Sequence, residues 1–502
     1  MKIKSHLAKL FLVVSECETF TKTLALLLLG SQAILCVGAV VTRVMLHGDG
    51  SFFVFAIAAG DPWGIKWNAL ATRISTYLFT VVPTTLLSEF FELSGERIAA
   101  VNGLIFYGVQ WLQYLVVILL AWRQFPQLLI FPIVHYCLSL GLGFGYPSEM
   151  LLAPGFLWIC LFSLARSSVP WPLVFVAFFG LVFSHEAAEP SALLVIAFAW
   201  IRHRHPLCLV PISLPRFATF AAFAVVVLVA WSVVRLHGGG AGGDQNAIYV
   251  LDPRRILNNP TMWLSILAVI AFSVTPLSKV VPNPRNLIVI ALACVLITVI
   301  ASTVLNLADG RYDSARTLTA ASSLLFGAMF IAHRFSGINV NTGMPMSHLA
   351  TILKNCAVAV LSINLAASAV FLWEWNQARN AFSSVVNSPV SGEKIRIVSY
   401  GEVRSLFGGA GAKYNDRMGF HWTWPFRSIV LAKNFRPDLM IVDDEEMFNL
   451  CESHILAGLR ASRIPAEVTE SLSQHACLQP QPPERRYFRQ WLITRWNSLW
   501  NK

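Results

Sequence analysis

The chain has 502 residues, of which 56% are hydrophobic and only 13% are charged. This composition excludes an ordinary soluble globular protein and is typical of a polytopic membrane protein. The formal net charge of +11 would suit an anionic partner, but the positions of the charges matter more than their sum. The nine cysteines form no Cys-X-X-Cys pair, so no zinc or dithiol redox site is indicated.

The first apolar run is predicted to be a retained membrane anchor. It extends from Thr23 to Met45 and follows four basic residues, Lys2, Lys4, Lys9 and Lys22. The run is long enough to cross a hydrocarbon layer of about 30 Å, and it is longer than the apolar region of a signal peptide. We therefore expect residues 1–22 to be cytoplasmic and a transmembrane helical domain to occupy residues 23–372.

Ten further apolar runs are predicted to be membrane spans. Several are shorter than the roughly 20 residues of an isolated span, but helices buried inside a bundle can be short. The runs lie at about 100–122, 127–143, 150–165, 171–184, 190–201, 217–236, 261–275, 286–306, 317–333 and 346–372.

Loop charges decide whether the additional apolar segment Thr76–Phe91 also crosses the membrane. If it does not cross, the short inner loops contain only basic charges: Arg123, Arg166, Arg202, Arg204, Arg216, Lys279, Arg285 and Arg334. The opposite loops contain the acids Asp49, Asp61, Glu149, Glu186, Glu189, Asp244, Asp252, Asp309 and Asp313. This distribution follows the positive-inside rule. It predicts about eleven spans in a cell inner membrane, with a cytoplasmic N-terminus and an extracytoplasmic C-terminal region.

The predicted first outer loop is long and covers residues 47–99. It contains two apolar pieces, Ser51–Gly60 and Thr76–Phe91. Such pieces can lie in the membrane interface as short helices, here anchored by Trp63 and Trp67. The alternative is that they only fill space in the bundle.

Residues 373–502 are predicted to form a small extracytoplasmic α+β domain. "KIRIVSYGEV", "RSIVLAKNF" and "LMIVDDEE" resemble short strands, whereas "EEMFNLCESHILAGLR" has helical spacing with acids in its first turn. Cys451 and Cys477 form a disulfide in an oxidising compartment or remain two free thiols. The basic and aromatic tail "PPERRYFRQWLITRWNSLW" suits the lipid headgroup layer, and an outer-face segment has no access to nucleic acid.

Candidate site residues gather at the predicted outer edge of the bundle. Asp49 follows the first span, Glu149 lies in "GYPSEM", and His185 and Glu186 lie in "SHEAAEP". The predicted outer loops also contain three arginines, Arg254, Arg255 and Arg311. An arginine binds phosphate through its planar fork, and a carboxylate can take a proton from a hydroxyl group. The set therefore suits a substrate with a hydrophobic tail and a phosphate head.

Ionisable residues deep in the spans are few, with His135 and Lys354 the main examples. Ion-coupled carriers normally place such groups, or broken helices, near the middle of the membrane. Their scarcity counts against a transporter, which remains the third hypothesis. A single His135 more often makes a helix–helix contact.

With an acid after the first span, a long first outer loop and a C-terminal outer domain, the layout resembles the C-type (GT-C fold) glycosyltransferases. These integral membrane enzymes transfer sugars from polyprenyl-phosphate donors. By position, the resemblance implies that Asp49 is the catalytic base or a metal-site residue and that Glu149 is the second acidic position. It leaves the cofactor open, a divalent metal ion included, because "HGDGS" has one aspartate where the family usually has paired acids.

The alternative hypothesis is a non-catalytic envelope-assembly protein whose outer domain docks a partner. Each candidate residue also has an ordinary structural interpretation. Asp49 could shape a Gly-Asp-Gly turn, and Glu149 could favour a helix start through the macrodipole. His185 and Glu186 could be solvated at a hairpin tip, and the three arginines could simply pair with nearby aspartates.

Overall fold

The computed structural model describes residues 2–67, 71–204, 211–235, 291–300, 311–336, 346–388, 395–418, 423–442 and 464–476, together with Trp263, Leu264 and Leu267. Most of these residues are helical. The helices are α1 Lys2–Thr42, α2 Asp49–Ala59, α3 Val82–Phe91, α4 Gly95–Ala121, α5 Ile130–Gly143, α6 Ala153–Ala165, α7 Trp171–Val182, α8 Glu189–Arg204, α9 Leu214–Val234, α10 Ala291–Ile300, α11 Arg311–Ser336, α12 Met346–Val386, α13 Gly408–Met418, α14 Trp424–Leu431 and α15 Ala466–Ala476. The strands are β1 Arg396–Ser399 and β2 Leu439–Val442.

Five described helical segments are long and apolar enough to cross a membrane: Glu18–Thr42, Ala71–Phe91, Gly95–Ala121, Leu214–Val234 and Asn355–Val386. Four of them match predicted spans, whereas Ala71–Phe91 contains the apolar piece Thr76–Phe91 that was predicted not to cross. Shorter apolar helices pack among the five and match most of the remaining predicted runs. The outward faces of the long helices α1 and α4 expose large apolar side chains such as Leu27, Ile34, Leu112 and Leu119, as expected where lipid is the solvent. The predicted α-helical membrane class is therefore confirmed. The predicted run 261–275 lies almost entirely outside the described residues.

Close helix contacts bring the loops at one end of the bundle together. A Cβ on Gly103 of α4 would lie 3.4 Å from Met45 Cγ, so this part of α4 lies level with the end of α1. The turn after α1 contacts the loop after α5, since His47 Nδ1 lies 2.7 Å from Gly145 O. A Cβ on Gly48 would clash with the ring of Tyr146. The chain after α1 is therefore wedged tightly against the loop that precedes Glu149.

The first apolar piece of the long loop is buried inside the protein. Every residue of α2 except Phe52 is buried, and α2 packs against α4 and α14. Trp67 is also fully buried, with its ring 5.3 Å from Phe53 and 5.7 Å from Tyr77. This arrangement corresponds to the space-filling alternative rather than to an interfacial helix anchored by Trp67.

The C-terminal region contains both strands and packs directly on the end of the bundle. β1 and β2 pair in parallel, with Ile397 opposite Met440. The prediction of a strand at "RSIVLAKNF" is wrong, because Arg427–Leu431 belong to helix α14, which begins with Pro425 in its first turn. The segment "EEMFNLCESHILAGLR", Cys451, Cys477 and the basic–aromatic tail lie outside the described residues.

Helix α12 joins the membrane bundle to this region without a break. It continues past the predicted boundary at residue 372 as far as Val386. Trp375 and Phe382 of its last part are fully buried in the core shared with α2 and α14. Helix α13 lies along it, fixed by the ion pair between Arg417 and Glu374 at 3.1 Å and by a hydrogen bond from Asn415 Nδ2 to Ala378 O at 3.1 Å.

Candidate functional site

A buried arginine joins two glutamates that come from separate loops. Arg73 donates to both carboxylate oxygens of Glu186, from Nε at 3.3 and 3.2 Å and from Nη2 at 3.1 Å. Its Nη1 lies 3.4 Å from Glu149 Oε2. Thr72 Oγ1 donates to Glu186 Oε1 at 2.9 Å. None of the four residues is more than 4% exposed, so the group, here named the Arg73 cluster, is enclosed by protein.

Local hydrogen bonds fix the turn that carries Arg73. Ser75 N donates to Phe183 O at 3.1 Å, and Ser75 Oγ donates to Gly180 O at 3.0 Å. These bonds attach the chain after Arg73 to the end of helix α7. Because Glu186 follows that helix end within a few residues, the same contact brings the guanidinium to the carboxylate.

In the loop after α7, His185 caps the short helical turn that carries Glu186. His185 Nδ1 accepts a hydrogen bond from the Ala187 N–H at 3.1 Å, so the proton of the neutral ring is on Nε2. The same Nδ1 lies 3.4 Å from Glu186 Oε2. His185 is fully buried and therefore holds the turn in place rather than forming a solvated hairpin tip.

The charges of the Arg73 cluster do not balance, because one guanidinium group faces two carboxyl groups. Burial alone raises the pKa of the Glu186 carboxyl group, but the charge and hydrogen bonds of Arg73 outweigh burial and hold that pKa well below its ordinary value. Glu186 is thus ionised at neutral pH and neutralises most of the arginine. Glu149, whose contact with Arg73 is longer at 3.4 Å, is the carboxylate better suited to contact a substrate.

Asp49 lies on a turn that adjoins the loop carrying Glu149. It is the first residue of α2, follows Gly48 at φ 55°, and is 7% exposed. The contacts of His47 with Gly145 and of Gly48 with Tyr146 press its turn against the loop that carries Glu149. The two acids singled out from the sequence therefore belong to adjoining turns at one end of the bundle.

A second buried arginine comes from the C-terminal region. Arg427 is fully buried and donates from Nε to Leu46 O at 3.1 Å. Its guanidinium lies 4.8 Å from the ring centre of Trp375 and 5.1 Å from that of Phe382, distances typical of cation–π contacts. Burial lowers the pKa of Arg427 to about 9, so the group remains charged at neutral pH. It fixes the carbonyl three residues before Asp49.

The other predicted residues are placed only in part. Arg311 is the first residue of α11, and the structure describes nothing of its side chain. Arg254 and Arg255 lie outside the described residues. Sequence reasoning missed Arg73 and Arg427; the signal for Arg73 was its position as the only basic residue between 68 and 95.

The described residues do not fit a metal centre. No group of three or more His, Cys, Asp or Glu side chains in these parts of the chain is placed to hold a metal ion. Arg73 itself occupies the position from which a cation would contact both Glu149 and Glu186. The cluster therefore offers a substrate its own guanidinium, carboxylate and hydroxyl groups.

No family model matches the sequence, and no curated protein or solved structure matches the chain.

Proposed function

We propose that the protein is a membrane glycosyltransferase that transfers a sugar from a polyprenyl-phosphate donor to an envelope glycan or lipid acceptor at the outer face of the membrane. The proposal depends mainly on one observation, which is that three separate loops meet at Arg73. As a result, Glu149 and Glu186 both lie within 3.4 Å of one guanidinium group. Buried ionisable groups at a bundle end are costly and typical of functional sites.

The reaction requires one carboxylate to remove a proton. As the acceptor hydroxyl attacks the anomeric carbon, its proton passes to Asp49, and the bond from that carbon to the phosphate oxygen breaks. Polyprenyl phosphate leaves with the bonding electrons, and configuration at the anomeric carbon inverts. Glu149 orients the acceptor hydroxyl. Basic side chains of the outer loops, such as Arg254, Arg255 and Arg311, bind the phosphate.

The test is a comparison of envelope glycans, by mass spectrometry, from cells with the protein, without it, and with Asp49→Asn. We expect the variant to insert normally and the glycan product to fall at least about 100-fold, because asparagine cannot take up the proton. Glu189→Gln, a partly exposed acid on the same predicted face, is the matched control. Full product from Asp49→Asn would contradict the proposal, and loss of function only on removal of residues 373–502 would favour docking.

The proposed topology has eleven spans and leaves segment 71–91 on the outer side. Contacts at the start of the segment and past its middle support this. Arg73 contacts Glu149 and Glu186, while Thr84 Oγ1 lies 3.3 Å from Asn102 Oδ1, next to the Gly103 that faces Met45. Both contacts lie at the end of the bundle where α1 finishes, which supports a position on that side for residues 73–84.

Labelling of introduced cysteines checks this topology. Glu92 and Gln124 are both exposed and precede and follow helix α4 respectively. We expect a membrane-impermeant maleimide to label Glu92→Cys in intact cells and Gln124→Cys only after permeabilisation. The opposite pattern would mean that segment 71–91 crosses.

A further inference from the structure

A small cavity with a mixed polar and apolar wall lies within the helix bundle. Its volume is about 40 Å³, and helices α1, α4, α5, the start of α6 and α11 form its walls. A water molecule needs roughly 10–15 Å³ of such space, so the cavity holds about three or four non-hydrogen atoms. Its polar side chains include Gln32, Gln110 and Tyr136, and aromatic side chains such as Trp111 and Phe144 surround them.

Two glutamine amides on the wall have unused hydrogen-bonding atoms. Gln32 Oε1 and Gln110 Nε2 are buried and have no hydrogen-bond partner within the described parts of the chain. Gln32 is only 8% exposed. Every carboxamide has a donor and an acceptor, so the two side chains offer both functions to one ligand whichever way each amide is turned. A buried amide without a partner is costly, which favours an occupant.

The cavity lies at the depth of the lipid tails. Gln32 lies ten residues before the end of α1 at Thr42, about 15 Å of helix rise. Gln110 lies seven residues past Gly103, which is level with Met45, or about 10 Å deeper along α4. At the same depth, other faces of α1 and α4 expose Ile34 and Leu112, side chains that suit contact with hydrocarbon. A ligand at this depth comes from the bilayer.

The wall chemistry selects an uncharged group. The lining side chains include no aspartate, glutamate, lysine or arginine among the described residues. A phosphate or carboxylate placed there would have no cation to compensate its desolvation. A hydroxyl group both donates and accepts one hydrogen bond, which matches the two amides and the volume.

We propose that the cavity between Gln32 and Gln110 binds the hydroxyl end of a neutral lipid alcohol, whose alkyl chain extends toward the lipid-facing surfaces of α1 and α4. The hydroxyl donates to one amide carbonyl and accepts from the other amide NH₂ group. This site differs in chemistry and depth from the Arg73 cluster, and it stands whether or not the protein transfers a sugar.

The test uses the full-length protein in phosphatidylcholine nanodiscs and a diazirine-bearing hexadecanol as a photoaffinity probe. We expect saturable labelling of peptides around Gln32 and Gln110, with unlabelled hexadecanol competing at least about tenfold better than hexadecanoic acid or hexadecyl phosphate. Equal competition by the three compounds would overturn the proposal.

Variants separate hydrogen bonding from simple partition into the membrane. Gln32→Leu and Gln110→Leu each remove one amide and leave no new unsatisfied group, so we expect both to fold and to bind the probe about tenfold more weakly. Gln127→Leu makes the same change at an exposed position and should bind like the unmodified protein. Unchanged labelling of both cavity variants, with a raised Tm from removal of the amides, would mean that the cavity holds only water and would overturn the proposal.

Discussion

Replacing Arg73 by methionine is expected to lower the free energy of unfolding by about 3–5 kcal/mol, because it leaves two buried carboxylates without their shared cation. Glu186 would lose its three contacts with the guanidinium, and Glu149 would lose its contact at 3.4 Å. The measurement is thermal and denaturant unfolding of the purified protein in detergent. This is the largest stability effect that the Arg73 cluster implies.

Arg73→Lys and the triple change of Arg73, Glu149 and Glu186 to uncharged residues are the controls. Lysine keeps the charge but not the fork, so we expect an intermediate loss. The triple variant removes all three charges together and should recover much of the stability that Arg73→Met loses. If Arg73→Met unfolds like the unmodified protein, the cluster does not contribute to stability as described.

The same cluster gives a pH dependence with a definite sign. The pKa of Glu186 is lower in the folded protein than in the unfolded chain, so its contribution to stability is fully present above the unfolded pKa of about 4.3. That contribution declines as the pH falls through the unfolded and then the folded pKa. Glu186→Gln should therefore reduce stability at neutral pH and flatten the acid side of the profile.

Glu149→Gln is expected to reduce sugar transfer about 100-fold, because a misplaced acceptor hydroxyl attacks poorly, and to cost less stability than Glu186→Gln. The contact of Glu149 with Arg73 is longer, at 3.4 Å, than the three that Glu186 makes, and Glu186 also accepts a hydrogen bond from Thr72. We thus expect the converse for Glu186→Gln, a loss of about 1–3 kcal/mol of stability with smaller loss of transfer. The amount of the glycan identified in the cell comparison measures activity.

These two variants are matched controls for each other, since both change a glutamate on the same guanidinium to glutamine. Equal effects on transfer and on stability in the two would mean that the carboxylates have the same structural role. Such a result would remove Glu149 from the mechanism and leave Asp49 as the acid to consider.

The apolar spans could be predicted from the sequence because length and hydropathy are local properties. The same reasoning located Asp49, Glu149 and Glu186, since acids that border apolar runs stand out. Arg73 could not be assigned, because its partners lie 76 and 113 residues away and no local pattern reports such pairing. The helix at "RSIVLAKNF" was misread since a short apolar run fits both a strand and a buried helix.

The sequence also could not predict which apolar segments are buried by protein and which face lipid. The piece Ser51–Gly60 is apolar on all sides, which is compatible with lipid or with a protein core. The structure encloses it between α4 and α14, and only the fold of the C-terminal region decides between those surroundings. Arg427 illustrates the same limit, because its role depends on Leu46, 381 positions away.

Helix α12 has a mechanical consequence. Its 41 residues rise about 60 Å at 1.5 Å per residue, roughly twice the thickness of the hydrocarbon layer. The segment contains neither proline nor glycine, the usual causes of a sharp kink. We therefore expect the helix to move as one rod, so that a load on α13 or on the strands would tilt it instead of bending a hinge at the bilayer surface.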